Sequence, residues 1–181
     1  KYPEINGIGV IYKVPSEELE SFVAENQATR PGFTVHPPHS RKEHYVITYI
    51  EPVATNQKDV GLDVAFEENR YFGLLYARDT AEAAITGPIM LVQDAEQTPA
   101  FLFYAPFYEE NAHASLEERR EHFRGVVYAP FVVKNLMEGT LKAENRHVAF
   151  NIYDDGTPIY TEFGAGKKPE ARHHTRRQIA L

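Results

Sequence analysis

The eight residues 101–108 restrict the fold more than any other segment, because they are almost entirely apolar and rich in aromatic side chains. Successive side chains of a β-strand point to opposite faces, so Phe101 and Phe103 share one face while Leu102 and Tyr104 share the other. A strand that is apolar on both faces requires cover on both. Incomplete cover would leave a cavity lined by aromatic residues, which is the usual form of a small-molecule site.

Other segments rich in β-branched and aromatic residues predict further strands, and most are bounded by turn residues. The predicted strands cover residues 8–12, 44–50, 89–92, 100–107, 125–131, 147–153 and 159–161. Apolar residues at helical spacing predict helices over about 17–26 and 67–79, one within 109–122, and one near 136–141. Adjacent strands joined by short polar turns are typical of hairpins, so the predicted fold class is α+β built on antiparallel sheets.

Two details of the helices are also predicted. Ser16 is expected to cap the first helix, with Glu17 and Glu18 in its first turn. Phe72, Leu75 and Tyr76 are expected to form the apolar face of the second helix.

Composition excludes several classes of protein. The 181 residues contain no cysteine, which rules out disulfides, thiol nucleophiles and thiolate zinc sites. The last fifteen residues carry five basic side chains and one acidic one, so the total charge of −7 leaves −11 on residues 1–166. Duplex binding needs a basic stripe, and nucleic acid is therefore not an expected partner. Since no apolar run of about 18 residues occurs, the segment itself is not expected to cross a membrane or to carry an export signal.

The sequence lacks the motifs that identify common enzymes, such as a Walker glycine loop or a nucleophile elbow. The one group with metal-ligating potential is His36, His39 and His44 with Glu43, whose imidazole and carboxylate groups would have to converge on one cation. Polar side chains on a proline-rich loop and at the start of a strand are usual for reasons of solvation, and this is the stronger interpretation of the group.

Asp63 is the second candidate because it stands between the apolar residues Leu62 and Val64. A carboxylate in apolar surroundings needs a partner. It can cap the following helix, pair with an arginine, or accept hydrogen bonds from a ligand in a pocket, and the sequence leaves these alternatives open.

Several short motifs, taken in order, resemble those of one family of sensory domains. They are 49–52 (Tyr-Ile-Glu-Pro) with Asn56, 60–63 (Val-Gly-Leu-Asp), 77–80 (Ala-Arg-Asp-Thr), 85–93 (Ile-Thr-Gly-Pro-Ile-Met-Leu-Val-Gln), 103–108 (Phe-Tyr-Ala-Pro-Phe-Tyr), 124–131 (Arg-Gly-Val-Val-Tyr-Ala-Pro-Phe) and 152–154 (Ile-Tyr-Asp). Their order and spacing resemble the CHASE family, the extracytoplasmic sensory domain of histidine kinases and nucleotide cyclases, including cytokinin receptors.

This resemblance implies two PAS-like lobes, a membrane-distal ligand-binding lobe over residues 1–118 and a partial membrane-proximal lobe over 119–181. It implies a non-catalytic, periplasmic or extracellular sensor without a cofactor, attached to the membrane through flanking spans that this sequence lacks. The full-length receptor is expected to form a homodimer.

The resemblance also implies a ligand site. Asp63 matches the carboxylate that reads the adenine ring in cytokinin receptors, and Ile85 and Tyr104 match positions lining that pocket. Phe103, Leu91 and Tyr49 are expected to form other parts of the wall. The plant receptors have a small threonine at the position of Tyr104, so this chain is expected to bind a different small molecule. The alternatives are a metal-dependent hydrolase built on His36, His39 and His44, and a structural spacer without ligand.

Overall fold

A computed structural model describes residues 5–91, 98–109, 113–141, 149–162 and 175. It contains helices and two antiparallel sheets, which confirms the α+β class. Among the described residues, no helix combines the length and the apolar character needed to span a membrane.

The main sheet has six antiparallel strands in the order β2-β1-β6-β5-β3, and the short strand β4 also pairs with β5. The strands are β1 (Ile8–Pro15), β2 (Glu43–Glu51), β3 (Ala84–Ile85), β4 (Ile89–Met90), β5 (Pro99–Tyr108) and β6 (Phe123–Val132). A separate hairpin consists of β7 (Asn151–Asp154) and β8 (Thr157–Thr161). The predicted strands in the described residues are thus confirmed, whereas residues 92–97, 147 and 148 lie outside the described part of the chain.

The helices lie close to their predicted positions. They are α1 (Leu19–Thr29), α2 (Val53–Asn56), α3 (Glu68–Thr80), α4 (Leu116–His122) and α5 (Val133–Leu141). Three short 3-10 turns cover Ser16–Glu18, Gln57–Asp59 and Val64–Phe66. The sequence did not predict β3, α2 or the last two 3-10 turns, because two to four residues are too few to show a period.

The sheet is covered differently on its two faces. The large core lies on the face that packs against α3 and includes Tyr45, Ile47, Leu74 and Tyr104. A smaller core lies under α1, where Val14 and Val46 pack with Phe33 of the following loop. The other face of β5 is incompletely covered, since Phe103 is 40% exposed while Phe101 and Ala105 are half-buried, so the expectation that both faces of this strand are covered is wrong for this face.

Two helix details are corrected by the structure. Ser16 does not cap α1, because its hydroxyl donates to the carbonyl of Lys42 at 2.8 Å. The predicted apolar face of α3 is correct only for Leu75, which is partly buried against the large core. Phe72 and Tyr76 are more than half exposed, and the buried residues of this helix are Arg70, Leu74 and Ala77. The buried face of the helix differs from the predicted one because Gly73, which has no side chain, allows α3 to lie directly against Thr86.

Strand β6 occupies a central place in the main sheet, between β1 and β5. The predicted division after residue 118 would separate this strand from both of its partners. The existence of two lobes and the position of the boundary between them stay predictions.

Candidate functional site

Neighbouring strands β5 and β6 form the floor of the large core. Leu102 and Tyr104 project from β5, and Val126 and Tyr128 project from β6, all at most 2% exposed. Leu74 of α3 packs in the same core. The antiparallel register places Tyr104 directly opposite Tyr128, so the two phenol rings share one face of the sheet.

The hydroxyl groups of Tyr104 and Tyr128 have no hydrogen-bond partner among the described residues. Burial raises the pKa of both phenols well above the ordinary value of 10, so both are neutral hydroxyls at physiological pH. Leaving a buried polar group unpaired costs about 1–3 kcal/mol. Two such groups side by side are therefore a costly feature of this core.

Arg70 is a buried charged residue of the helix that packs on this core. It lies in the first turn of α3 and is only 3% exposed. Its Nη2 donates to the carbonyl of Met90 at 2.6 Å, and its Nε has no hydrogen-bond partner in the described part of the chain. The positive charge acts on both phenols, because it lowers the pKa of Tyr104 and of Tyr128 against the larger effect of burial.

Glu67 supplies a carboxylate near the Arg70 guanidinium. Glu67 Oε2 is 3.8 Å from Arg70 Nε, which is too long for a hydrogen bond. Both oxygens of Glu67 already accept backbone N–H groups, those of Asn69 and Arg70, and so cap α3. The charge of Arg70 is therefore only partly compensated.

The six predicted ligand contacts do not come together in one place. Tyr104 and Leu91 lie in the large core. Ile85 and Phe103 are register partners with exposed side chains, 37% and 40% exposed respectively. Tyr49 is 55% exposed and lies under the guanidinium of Arg30, whose Cζ is 4.7 Å from the ring centroid.

Asp63 is fully buried at the edge of β2, where it is paired on every side. Its Oδ1 accepts the backbone N–H groups of Tyr45 at 3.0 Å and Ala65 at 3.1 Å. Its Oδ2 is 2.7 Å from His39 Nε2 and 2.6 Å from His44 Nδ1, and the two imidazole rings stack with centroids 4.7 Å apart. The carboxylate of Asp63 thus serves four donors, and we call these three side chains the Asp63 cluster.

The Asp63 cluster has the composition of a metal site, because its three ligand atoms lie within 4.8 Å of one another. However, Nδ1 of His39 accepts the backbone N–H of Arg41 at 3.1 Å, so the proton of the neutral ring sits on Nε2 and points to Asp63. A cation on Nε2 would move this proton to Nδ1, directly against the N–H of Arg41. The geometry therefore favours hydrogen bonds over a metal ion in this cluster.

The other residues of the predicted metal group lie elsewhere. The Nε2 of His36 is 3.3 Å from the carbonyl of Val60. Glu43 forms an ion pair with Lys13 at 3.0 Å and accepts a hydrogen bond from the hydroxyl of Tyr45 at 2.7 Å. These contacts lower the pKa of Glu43 even though its partial burial acts to raise it.

Sequence reasoning missed two residues of the site, Tyr128 and Arg70. The alternation of β6 offers a signal for Tyr128, since Val126 and Tyr128 fall on one face of an apolar strand. No comparable signal exists for Arg70, because an arginine at the start of a helix with charged neighbours is typical of a solvated surface.

The described residues form an α+β domain whose antiparallel sheet packs against α3 and whose interior keeps three polar atoms without a hydrogen-bond partner among these residues. A family model of the CHASE domain matches residues 1–163, and on this match the chain belongs to the CHASE family. CHASE domains are extracytoplasmic sensory domains of receptors. No curated protein matches the chain.

Proposed function

We propose that this chain is the small-molecule-binding unit of a transmembrane receptor and that its ligand binds between the main sheet and α3. The observation that carries the proposal is the facing pair of buried hydroxyls on Tyr104 and Tyr128, which have no partner among the described residues. A ligand that hydrogen-bonds to both would offset the cost of burying them.

Of the predicted contacts, Tyr104 and Leu91 face this interior and are proposed to line the ligand site. Asp63 contacts a ligand only if a donor on that ligand replaces the imidazole of His39 or His44, because the four donors around it leave no free acceptor position. Ile85, Phe103 and Tyr49 are proposed as contacts only for a molecule on the exposed side of the sheet.

The strand order supports the proposal that this sheet and its helices form one PAS-like lobe. Because β6 pairs with both β1 and β5, it is proposed to belong to this first lobe and not to a second one. The separate hairpin of β7 and β8 is proposed to belong to the membrane-proximal lobe.

In the receptor, the domain is proposed to work as a homodimer on the periplasmic or extracellular side, held by flanking membrane spans. The ligand shifts the balance between two receptor arrangements by binding one of them more tightly. The signal passes to a cytoplasmic histidine kinase or nucleotide cyclase, and the sensory domain itself catalyses no reaction and needs no cofactor.

The direct test is to isolate the protein from cells and identify any bound compound by native mass spectrometry, followed by thermal-shift measurements with a broad metabolite set. A ligand that binds only the folded state raises the melting temperature. We expect at least one compound to stabilise the wild-type chain and to stabilise the Tyr104→Phe and Tyr128→Phe variants markedly less.

The matched control is Tyr45→Phe, since Tyr45 is an equally buried phenol whose hydroxyl is already bonded to Glu43. This variant should respond to the compound as the wild type does. A chain that is isolated empty and that no compound stabilises would favour the ligand-free spacer.

A further inference from the structure

We infer that the ligand of this site is an apolar monocarboxylate whose carboxylate group is held by Arg70 and by the hydroxyl of Tyr104. The inference rests on the proposed function, because it names the chemical class of the molecule that binds between the main sheet and α3. It follows from the kinds of polar groups that the interior leaves unpaired.

Arg70 sets the sign of the ligand's charge. A guanidinium that is 97% buried is stable only with compensation, and the carboxylate of Glu67 is 3.8 Å away and already bonded to two backbone N–H groups. The free Nε–H can only donate. The missing partner of Arg70 is therefore an acceptor, and a negative one compensates the charge best.

The strand order indicates which phenol lies nearer the negative group. Arg70 and Leu74 are both buried and lie one turn apart on α3, so the guanidinium faces the core that contains Leu74 and Tyr104. Its Nη2 donates to the carbonyl of Met90 in β4, which pairs with β5, the strand of Tyr104. Tyr128 lies one strand farther away on β6, so a carboxylate bound to Arg70 is expected beside Tyr104. We place a second, uncharged polar atom of the ligand at the hydroxyl of Tyr128.

The remaining surroundings restrict the ligand further. Leu91, Leu102 and Leu74 are buried in the same core, so the body of the ligand has to be apolar. A single arginine compensates one negative charge, and residues 1–166 already carry a net charge of −11. A phosphate with two charges is therefore a poorer occupant than a monocarboxylate.

The test uses acids and their primary amides, which have the same shape but differ in charge. Benzoate, phenylacetate, cinnamate and hexanoate are each compared with the corresponding amide in thermal-shift titrations of the full chain at pH 7. We expect at least one acid to stabilise the protein and its amide to bind at least tenfold more weakly. Amides that bind as well as the acids, or a set in which no acid stabilises the chain, would overturn the inference.

Variants connect the charge preference to the site. Arg70→Gln should abolish the difference between acid and amide, while Arg120→Gln, which removes an exposed arginine of α4, should leave it intact. If Arg70→Gln fails to fold, Tyr104→Phe provides the second measurement. It should weaken the binding of the acid about tenfold and that of the amide by less, and equal losses would contradict the inference.

The two proposals fail in different ways. A neutral compound found on the isolated protein, with its affinity lowered by Tyr104→Phe, would contradict the acidic ligand and leave the sensor function in place. A chain that is isolated empty and that neither the acids, nor the amides, nor the metabolite set stabilises would contradict both.

Discussion

Two buried polar regions of this molecule differ in how completely their polar atoms are hydrogen-bonded. In the Asp63 cluster, the carboxylate accepts four hydrogen bonds, and its two histidine partners are themselves held by further contacts. Around Tyr104, Tyr128 and Arg70, three polar atoms have no partner among the described residues. Both regions are removed from solvent, so burial alone does not distinguish them.

The difference separates a structural role from a binding role. In the fully paired cluster, the carboxylate of Asp63 holds the loop that carries His39 beside β2, and it also binds the backbone N–H of Ala65. An unpaired group weakens the empty fold, and it is retained where something else supplies the partner. On this argument the Asp63 cluster stabilises the domain, and the interior beside α3 is the proposed ligand site.

The largest effect is expected from breaking the paired region. Asp63→Ala leaves four donors without an acceptor, three of them buried, and should lower the free energy of unfolding by about 3–5 kcal/mol, measured by urea denaturation. Asp63→Asn, which retains an acceptor for the backbone groups but places an NH₂ against the imidazoles, should lose less. His36→Gln is the control in the same loop and should cost below about 1 kcal/mol, because His36 has one long hydrogen bond at 3.3 Å. A loss at Asp63→Ala no larger than this control would remove the distinction between the regions.

The second prediction concerns alkaline pH and the unpaired region. Burial holds the pKa values of Tyr104 and Tyr128 above those of exposed phenols, so the unfolded chain loses these protons first as the pH rises. The stability from these groups is complete below pH 10 and declines above it, by about 1.4 kcal/mol per pH unit for each phenol.

The double variant Tyr104→Phe/Tyr128→Phe should therefore lose about 3 kcal/mol less than the wild type between pH 9 and pH 11. Urea denaturation at both pH values gives the comparison, and tyrosinate absorbance reports ionisation directly. Equal alkaline losses in the two proteins would mean that these phenols ionise as easily in the folded state as in the unfolded chain.

The third prediction compares a paired with an unpaired phenol at neutral pH. Tyr45→Phe removes the hydrogen bond to Glu43 and should cost about 1 kcal/mol of stability. Tyr104→Phe removes a hydroxyl without a partner and should leave the stability of the empty protein unchanged or raise it by up to about 1 kcal/mol. If Tyr104→Phe destabilises the protein as much as Tyr45→Phe does, Tyr104 has a partner in solution, and the central observation of the proposed function is lost.

These regions also show what the sequence could predict. The alternation within 101–108 placed Leu102 and Tyr104 on one face of a strand, and the structure confirms this face as buried. The same pattern could not show that Tyr128 stands opposite Tyr104, because register depends on the pairing of β5 with β6. The apolar spacing of α3 predicted burial wrongly for Phe72 and Tyr76, because it could not show the close contact of Gly73 with Thr86.

The Asp63 cluster also shows that the sequence predicts the need for a contact but not which residues make it. The apolar neighbours of Asp63 indicated that its carboxylate needs a partner, and the structure supplies four donors, two of which are imidazoles. Those partners, His39 and His44, are 24 and 19 residues earlier in the chain, and three-dimensional folding alone brings them to Asp63. The grouping predicted from proximity in sequence therefore joined His39 and His44 to His36 and Glu43, which point elsewhere.

The smallest effect on stability is expected for Asp79, a paired carboxylate that solvent can reach. It tests whether pairing stabilises the domain only where the pair is buried. Asp79 accepts hydrogen bonds from Arg120 at 2.6 Å and Arg78 at 2.7 Å. Although its partial burial acts to raise the pKa, these two arginines lower it to about 2 from the ordinary value of 3.8. The stability from this pairing is present above pH 4 and is lost as the pH falls toward 2.

Asp79→Asn should therefore cost less than about 1 kcal/mol at neutral pH, since Arg120 is more than half exposed and solvent screens the pair. The cost should shrink further in high salt and vanish near pH 2, where the wild-type carboxyl is itself becoming protonated. Glu117→Gln, an exposed substitution in the first turn of α4, is the control for removing one negative charge. A loss at Asp79 comparable to that at Asp63 would show that pairing stabilises this domain regardless of burial, and the contrast between the two buried regions would then need another cause.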